Sequence, residues 1–123
     1  MASPEQIRTA VQHYLDAVAT GTAADIAALY AEDATVEDPV GSAPHRGRAE
    51  IEKFYRALES RSRTTELRTL RVAGDSAAFV FRVSTESDDH TTTIEPIDVM
   101  TFDADGRITS MRAFWSRDDI TVH

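Results

Sequence analysis

Three side chains in this sequence have the residue types of a proton-transfer site, namely Tyr14, Asp38 and Asp98. Asp38 follows a short strand-like stretch at 35–36 and precedes Pro39, and a residue before proline is held in an extended conformation. The carboxylate therefore points away from the end of a strand, where it can stay ionised. Standing alone, such a carboxylate would more simply be a helix cap, a turn former or a solvated charge, so its interpretation depends on the other two groups.

Asp98 lies in a strand-like stretch whose two faces are both apolar. Alternation puts Met100 on its own face, and Ile97 and Val99 on the opposite face. No lysine or arginine neighbours it on that face, and a buried carboxyl without a cation takes a proton because desolvation disfavours the charged form. We expect a neutral acid that donates a hydrogen bond, with a buried aspartate bonded to backbone amides as the alternative.

Tyr14 lies on the apolar stripe of a predicted helix, where a buried tyrosine hydroxyl needs a hydrogen-bond partner. Tyr14 and a protonated Asp98 would be two donors facing one base, Asp38. Such donors polarise a carbonyl group while the base removes a proton from the neighbouring carbon. The three residues therefore indicate general-base catalysis through a stabilised enolate oxyanion.

The elements that must position these residues follow from periodicity and turn signals. The helix at 4–20 has a serine cap and a proline at its first position. Further helices are predicted at 23–30 and 48–60, and strands at 35–36, 64–72, 76–87, 91–102 and 107–115, followed by a loose polar tail at 116–123. This order predicts an α+β fold, with a curved antiparallel sheet that has helices on one side. The length of 123 residues predicts a single domain over 1–123.

Composition excludes several function classes. The formal net charge of −8 argues against binding to nucleic acid or to anionic membranes. The absence of cysteine excludes disulfides and thiolate chemistry, and the four histidines lack metal-ligand spacing, so no metal site is predicted. Neither a signal peptide nor a membrane-spanning run is visible, and we expect a cytoplasmic protein. His45 is placed in a loop near Asp38 without a role, and the arginines at 61, 63, 68 and 71 are interpreted as a solvated sheet face.

The motifs at 35–42 and 96–100, at this separation and together with Tyr14, resemble bacterial ketosteroid isomerase, a family of the nuclear transport factor 2-like superfamily. The resemblance covers essentially the whole chain. It implies that 3-oxo-Δ5-steroids become 3-oxo-Δ4-steroids, with Asp38 moving a proton from carbon 4 to carbon 6 while Tyr14 and protonated Asp98 bind the oxygen at carbon 3. It also implies a cone-shaped, cystatin-like fold of a curved antiparallel sheet packed against three helices, no cofactor, and a homodimer that pairs through the open sheet.

The resemblance also implies a steroid pocket, whose wall must be apolar because a steroid is a flat hydrocarbon. In it, Tyr30 and Tyr55 would hydrogen-bond toward Tyr14, with ordinary helix packing as the alternative. Trp115 is placed near Asp38, where an apolar neighbour would raise the pKa of the base. The predicted substrate-binding residues are Tyr30, Phe54, Tyr55, Phe81, Val83, Met111, Ala113 and Trp115. The alternative interpretation is that these residues are ordinary core residues. In a cone-shaped fold the core and the pocket wall are continuous, so the sequence does not distinguish the two.

The sequence departs from the family pattern at one position, and two other functions compete with the isomerase. Pro96 lies beside Asp98, where members of the family tend to carry small or apolar residues nearby, and this departure would alter the shape of the pocket but not the acid. A polyketide cyclase or dehydratase on the same scaffold would keep Asp38 but act on another carbonyl compound, and the two donors disfavour it. A non-catalytic module that binds an apolar ligand would have no reason to keep a buried Asp98 opposite Tyr14 and a second aspartate.

Overall fold

The computed structural model describes all residues from Met1 to His123. It contains three α-helices, eight β-strands and two short 3-10 turns. The helices are α1 (Pro4–Thr20), α2 (Ala23–Ala27) and α3 (Arg48–Tyr55), and the turns are Arg56–Leu58 and Arg117–Asp119. The strands are β1 (Tyr30–Glu37), β2 (His45–Arg46), β3 (Ser62–Ala73), β4 (Ser76–Glu86), β5 (Thr91–Ile94), β6 (Ile97–Phe102), β7 (Ile108–Phe114) and β8 (Ile120–Val122).

The eight strands form one sheet in the order β2-β1-β7-β6-β4-β5-β8, and β3 pairs with the other edge of β4. Strand β4 is long enough to pair with β6 at its beginning and with β5 at its end. All pairs are antiparallel except β1 and β7, which run parallel. The predicted α+β fold with a curled, mainly antiparallel sheet and three helices is therefore confirmed.

Helix α1 begins with the capping box that the sequence predicts. The Ser3 hydroxyl accepts from the Gln6 backbone at 3.1 Å, and the Gln6 side chain accepts from the Ser3 backbone at 2.8 Å. The helix ends at Gly21, whose backbone N–H donates to the Ala17 carbonyl at 2.7 Å. Glycine is required there, because a Cβ would lie only 2.9 Å from that carbonyl oxygen.

The core lies between the helices and the concave face of the sheet, and α1 packs on β3 and β4. Helix α1 contributes a buried stripe at helical spacing, formed by Ile7, Val11, Tyr14, Leu15 and Val18. Strands β4, β6 and β7 contribute alternate residues, including Phe79, Phe81, Met100, Phe102, Met111 and Ala113. The candidate site residues therefore belong to the same buried layer that stabilises the fold.

Several local predictions were wrong at the boundaries. The second helix ends at Ala27, and Tyr30 is the first residue of β1 instead of the last residue of a helix. The long strand predicted at 91–102 is two strands, β5 and β6, interrupted at Pro96. The tail is not loose, because its last residues form β8, which pairs antiparallel with β5.

Arg63 was also placed wrongly, because it is buried, with 8 % of its surface exposed. Its guanidinium donates to the carbonyls of Val18 and Leu58, and to that of Gly21 at 3.1 Å. A cation at the end of a helix satisfies carbonyls that have no partner within the helix. Arg63 therefore terminates α1 and joins it to the segment that follows α3.

Candidate active site

Asp98 on β6 is buried among apolar side chains, with 1 % of its surface exposed. It pairs across the sheet with Phe79 and Ala113, and Met100 on its own face is fully buried. Its Oδ1 atom has no hydrogen-bond partner. Burial raises the pKa of this carboxyl well above its usual value, and the charge of Asp38 raises it further. Burial therefore favours the neutral acid form of this side chain, and its Oδ1 atom is free to bond another molecule.

Three tyrosines from three elements form a hydrogen-bonded chain beside it. The hydroxyl of Tyr14 on α1 lies 3.0 Å from that of Tyr55 on α3, which lies 2.8 Å from that of Tyr30 on β1. All three side chains are buried. Burial is the main cause that raises their pKa values well above 10.0, so the hydroxyls stay protonated. The predicted hydrogen bonds toward Tyr14 are present, with Tyr55 bonding directly and Tyr30 acting through Tyr55.

Asp38 lies just beyond the end of β1 and is half-buried. Its Oδ1 accepts a hydrogen bond from Trp115 Nε1 at 2.6 Å. Burial raises the pKa of this carboxyl, while the Trp115 hydrogen bond and the charge of His45 lower it. The expected effect of Trp115 was therefore wrong in sign, because its indole N–H donates to the carboxylate and so favours the ionised form.

The loop that carries Asp38 is fixed to the sheet by groups that sequence reasoning missed. Glu37 accepts from the Gly41 backbone at 3.1 Å with one oxygen and from Arg112 Nε at 3.0 Å with the other. The Val40 backbone donates to the Ala113 carbonyl at 2.8 Å. These bonds tie the loop to β7, the strand that also leads to Trp115. The only sequence signal was the pair of opposite charges at 37 and 112, which are 75 residues apart.

The electrostatic effects show that these groups act on one another. The charge of Asp38 raises the pKa of Asp98, Tyr14 and Tyr30, and a charge on Asp98 would raise the pKa of all three tyrosines. Elements α1, β1 and β6 thus bring two neutral donors and one ionisable carboxyl into one electrostatic environment. This arrangement can bind an oxyanion on one side and move a proton on the other.

The predicted substrate-binding residues divide by exposure. Five are buried in the core, namely Tyr30, Tyr55, Phe81, Met111 and Ala113, and three are half-buried, namely Phe54, Val83 and Trp115. Phe79 was not predicted, although its ring lies 6.5 Å from that of Tyr14 in an edge-to-face contact and 5.6 Å from that of Phe81. Surface clefts of about 510, 490 and 310 Å³ are lined mainly by polar residues and include none of the predicted site residues.

Two further observations concern metals and membranes. No group of three or more histidine, aspartate or glutamate side chains is placed to hold a metal ion. None of the helices combines the length and the apolar character needed to cross a lipid bilayer.

Comparison with known proteins places the chain in a family. A sequence model described as SnoaL-like domain matches residues 11–111. The chain is 58 % identical over 117 residues to a protein named Steroid Delta-isomerase from Nocardioides simplex, and the match covers 95 % of each.

Among solved structures, the fold is similar to that of SalBIII, an epoxide hydrolase/cyclase-like enzyme with a role in pyran ring formation in the polyether salinomycin (TM-score 0.91, 29 % identity). It is also similar to that of RV0760c from Mycobacterium tuberculosis (TM-score 0.90, 20 % identity). Both matches cover 100 % of each chain, and the second supports the fold alone. The chain therefore belongs to the SnoaL-like family of the nuclear transport factor 2-like fold, together with its steroid isomerase relative.

Proposed function

We propose that this protein is a steroid Δ5-isomerase that converts 3-oxo-Δ5-steroids to 3-oxo-Δ4-steroids. The observation that carries the proposal is the pairing of a buried, neutral Asp98 and the Tyr14 hydroxyl with an ionisable Asp38. The 58 % identity to a Steroid Delta-isomerase over nearly the whole chain supports it independently.

The reaction is a balanced proton shift that needs no redox partner. The Asp38 carboxylate takes a proton from carbon 4, and the C–H electron pair forms a double bond between carbons 3 and 4. The carbonyl π electrons move to the oxygen at carbon 3, which gives a dienolate. As the carbonyl reforms, a double bond forms between carbons 4 and 5, and the electrons of the old 5,6 bond take the proton from Asp38 at carbon 6. Asp38 is then a carboxylate again.

The oxygen at carbon 3 would be held by Tyr14 and by protonated Asp98. Removal of one such donor typically costs about 2.7–4 kcal/mol of transition-state stabilisation. Asp98 suits this role because its Oδ1 has no partner within the protein. Tyr55 supports Tyr14, because a hydroxyl that accepts a hydrogen bond at 3.0 Å becomes a better donor through the cooperativity of hydrogen-bonded chains.

The apolar rings of the steroid would lie against the apolar side chains that extend from the core toward Asp38. We assign this contact to the eight predicted residues, of which the half-buried Phe54, Val83 and Trp115 are nearest to solvent. Replacing a half-buried wall residue by a smaller one is therefore expected to raise KM more than it lowers kcat.

A homodimer through the outer face of the sheet accompanies this proposal. Ile97 and Phe114 face each other across β6 and β7, and 45 % and 41 % of their surfaces are exposed. Adjacent exposed apolar side chains on a sheet face are typical of an interface. Light scattering should give the mass of two 13.6 kDa chains, and a Phe114→Lys variant should give the mass of one. A wild-type mass of 13.6 kDa would contradict the dimer.

The test of the function is a direct assay. We would add the wild-type protein and, separately, an Asp38→Asn variant to 5-androstene-3,17-dione and follow absorbance of the conjugated enone. Rapid growth with the wild type and near loss with the variant supports both the reaction and the base. If the wild type gives no growth of enone absorbance, the isomerase is excluded. Binding of an equilenin-like phenol would then indicate a binding module or an enzyme for another carbonyl substrate. No binding would mean that the pocket is wrongly assigned.

A further inference from the structure

His45 lies on the strand that pairs with the end of β1, just before Asp38, although the proposed chemistry does not use it. His45 is on β2, not in a loop, and its antiparallel partner on β1 is Val36. Residues directly opposite each other in an antiparallel pair project to the same face, and Val36 is fully buried on that face. Asp38 follows two residues after Val36, just beyond the end of β1, so His45 projects from the ladder next to the loop that carries the candidate base.

The imidazole of His45 is held in place by a second element. Its ring centroid lies 4.6 Å from that of Phe54 on α3, with the planes tilted by 34°. The Phe54 ring packs in turn against Tyr55 at 5.0 Å, in an edge-to-face contact. His45 is half-buried in this position, so its ring is restrained between β2 and α3.

A positive charge on His45 lowers the pKa of Asp38 and so favours the carboxylate that the proposed reaction needs. Burial disfavours the Asp38 carboxylate, and Trp115 offsets this with a neutral N–H donor. Burial raises the pKa values of Tyr14, Tyr30 and Asp98, which favours their neutral forms, so none of them supplies a positive charge to Asp38. His45 is thus the cationic side chain that favours the ionised base.

The other charged side chains near the end of β1 are paired with each other or exposed to solvent. Glu37 is bonded to Arg112, and both lie on the other face of their strands from the buried Val36 and Met111. Arg46 pairs across the ladder with Thr35 and is exposed. Neither arrangement opposes the effect of His45 on Asp38.

We propose that His45 is a positioning residue of the isomerase, which favours the carboxylate form of Asp38 from its place on β2 against the Phe54 ring. The inference rests on the proposed function for its catalytic meaning. Histidine in its imidazolium form is a cation, and a nearby cation favours the ionised form of a carboxyl group. For a pair this close to solvent, we expect a shift of the Asp38 titration by about 0.2–0.7 pH units.

The test uses the single tryptophan of the chain as a reporter that does not depend on turnover. The Trp115 indole N–H donates to Asp38, so its one nitrogen-15 NMR signal shifts when Asp38 takes a proton. We would titrate the wild type and the variants His45→Phe, His45→Ala and His45→Lys, and measure the acid limb of kcat/KM for each. The control is His90→Ala, at an exposed turn residue that pairs with Asp89.

The midpoint should rise in the Phe and Ala variants, stay near the wild-type value in the Lys variant, and not move in the control. The acid limb of kcat/KM should move with it. A midpoint unchanged in both the Phe and Ala variants would overturn the proposal, and so would a rise in the Ala variant alone, which would mean that ring packing is the cause. If the midpoint rises but the wild type has no isomerase activity, it is the proposed function that fails, not the effect of His45 on Asp38.

Discussion

The candidate site has an inner half around Asp98 and an outer half around Asp38, and the two halves place a carboxyl group in different surroundings. In the inner half, Asp98 is 1 % exposed among apolar side chains, and the three tyrosine hydroxyls form hydrogen bonds with one another. In the outer half, Asp38 is half-buried at a strand end and receives an indole N–H at 2.6 Å. Burial raises the pKa of both aspartates, but only in the outer half do other groups oppose it.

This difference shows that burial and the supply of donors together decide which acid keeps its proton. Asp98 has an oxygen without any donor, so the neutral form is favoured. Asp38 has Trp115 and the charge of His45, so the carboxylate remains accessible. One residue type can thus supply an acid and a base in one site, and a substitution in one half should leave the other half intact.

The largest expected effect comes from applying the same change to both aspartates. Asp38→Asn removes the base and should lower kcat by about 10²–10⁴. Asp98→Asn keeps a donor N–H at the buried position and should lower kcat much less, whereas Asp98→Ala should lower it by about 10²–10³. The measurement is kcat from enone absorbance. Equal losses in the two Asn variants would contradict the division of roles.

The Tyr14→Phe substitution should cause the next largest loss of kcat. It removes one oxyanion donor and leaves Tyr55 bonded only to Tyr30, so kcat should fall by about 10²–10³. KM should change little if the hydrogen bond to the substrate strengthens mainly in the transition state. A loss seen only in KM would show instead that Tyr14 contributes ordinary substrate binding. Phe102→Leu, a change elsewhere in the core, is the matched control for a general loss of packing.

The stability of the fold should depend on Asp98 with a definite sign. The unfolded chain releases this proton near pH 3.9, whereas the folded chain holds it to a higher pH because burial raises the pKa. Between these values the folded state binds more protons, so stability falls as pH rises, by up to about 1.4 kcal/mol per pH unit. Asp98→Asn removes this dependence.

Urea unfolding at several pH values from 4 to 8 tests this dependence. The difference in free energy of unfolding between Asp98→Asn and the wild type should increase with pH above about 4. Asp38 contributes in the same direction, because its pKa is also raised, but it is present in both proteins and cancels in the difference. A difference that stays constant with pH would mean that Asp98 is ionised in the folded protein.

Tyr30→Phe should have the smallest effect. Tyr30 lies at the far end of the tyrosine chain, and its loss removes one buried hydrogen bond without touching Tyr14 directly. We expect a loss of about 1 kcal/mol in the free energy of unfolding and only a few-fold loss in kcat. Tyr55→Phe, which removes both bonds, is the comparison. A larger kcat loss for Tyr30→Phe than for Tyr55→Phe would contradict the order of the chain.

The sequence predicted correctly the features of the fold that local residue patterns determine. The capping box and stripe of α1 and the alternation around Asp98 each involve residues a few positions apart, and all were predicted correctly. The placement of Tyr30 was wrong, because apolar spacing fits a short helix as well as a strand. Only the pairing of Tyr30 with Ile108 on β7 decides between them, and that contact is not local.

The missed parts of the site share that cause. The bond between Glu37 and Arg112 joins two strands far apart in the chain, and β8 exists because it pairs with β5. The sign of the Trp115 effect depended on whether its ring or its N–H faces Asp38, and side-chain orientation is not encoded in residue spacing. The sequence therefore indicated the candidate site residues, and the structure shows which contacts hold them in place.

The most direct test of the central claim compares the two aspartates in one molecule. Carbon-13 NMR of labelled aspartate carboxyls, assigned with Asp38→Asn and Asp98→Asn, would follow both groups through one pH titration. The account predicts that Asp38 loses its proton at a clearly lower pH than Asp98, so that at neutral pH one is a carboxylate and the other an acid. If the two carboxyls titrate together, or if Asp98 ionises first, the two halves of the site do not differ as described and the proposed oxyanion donor is lost.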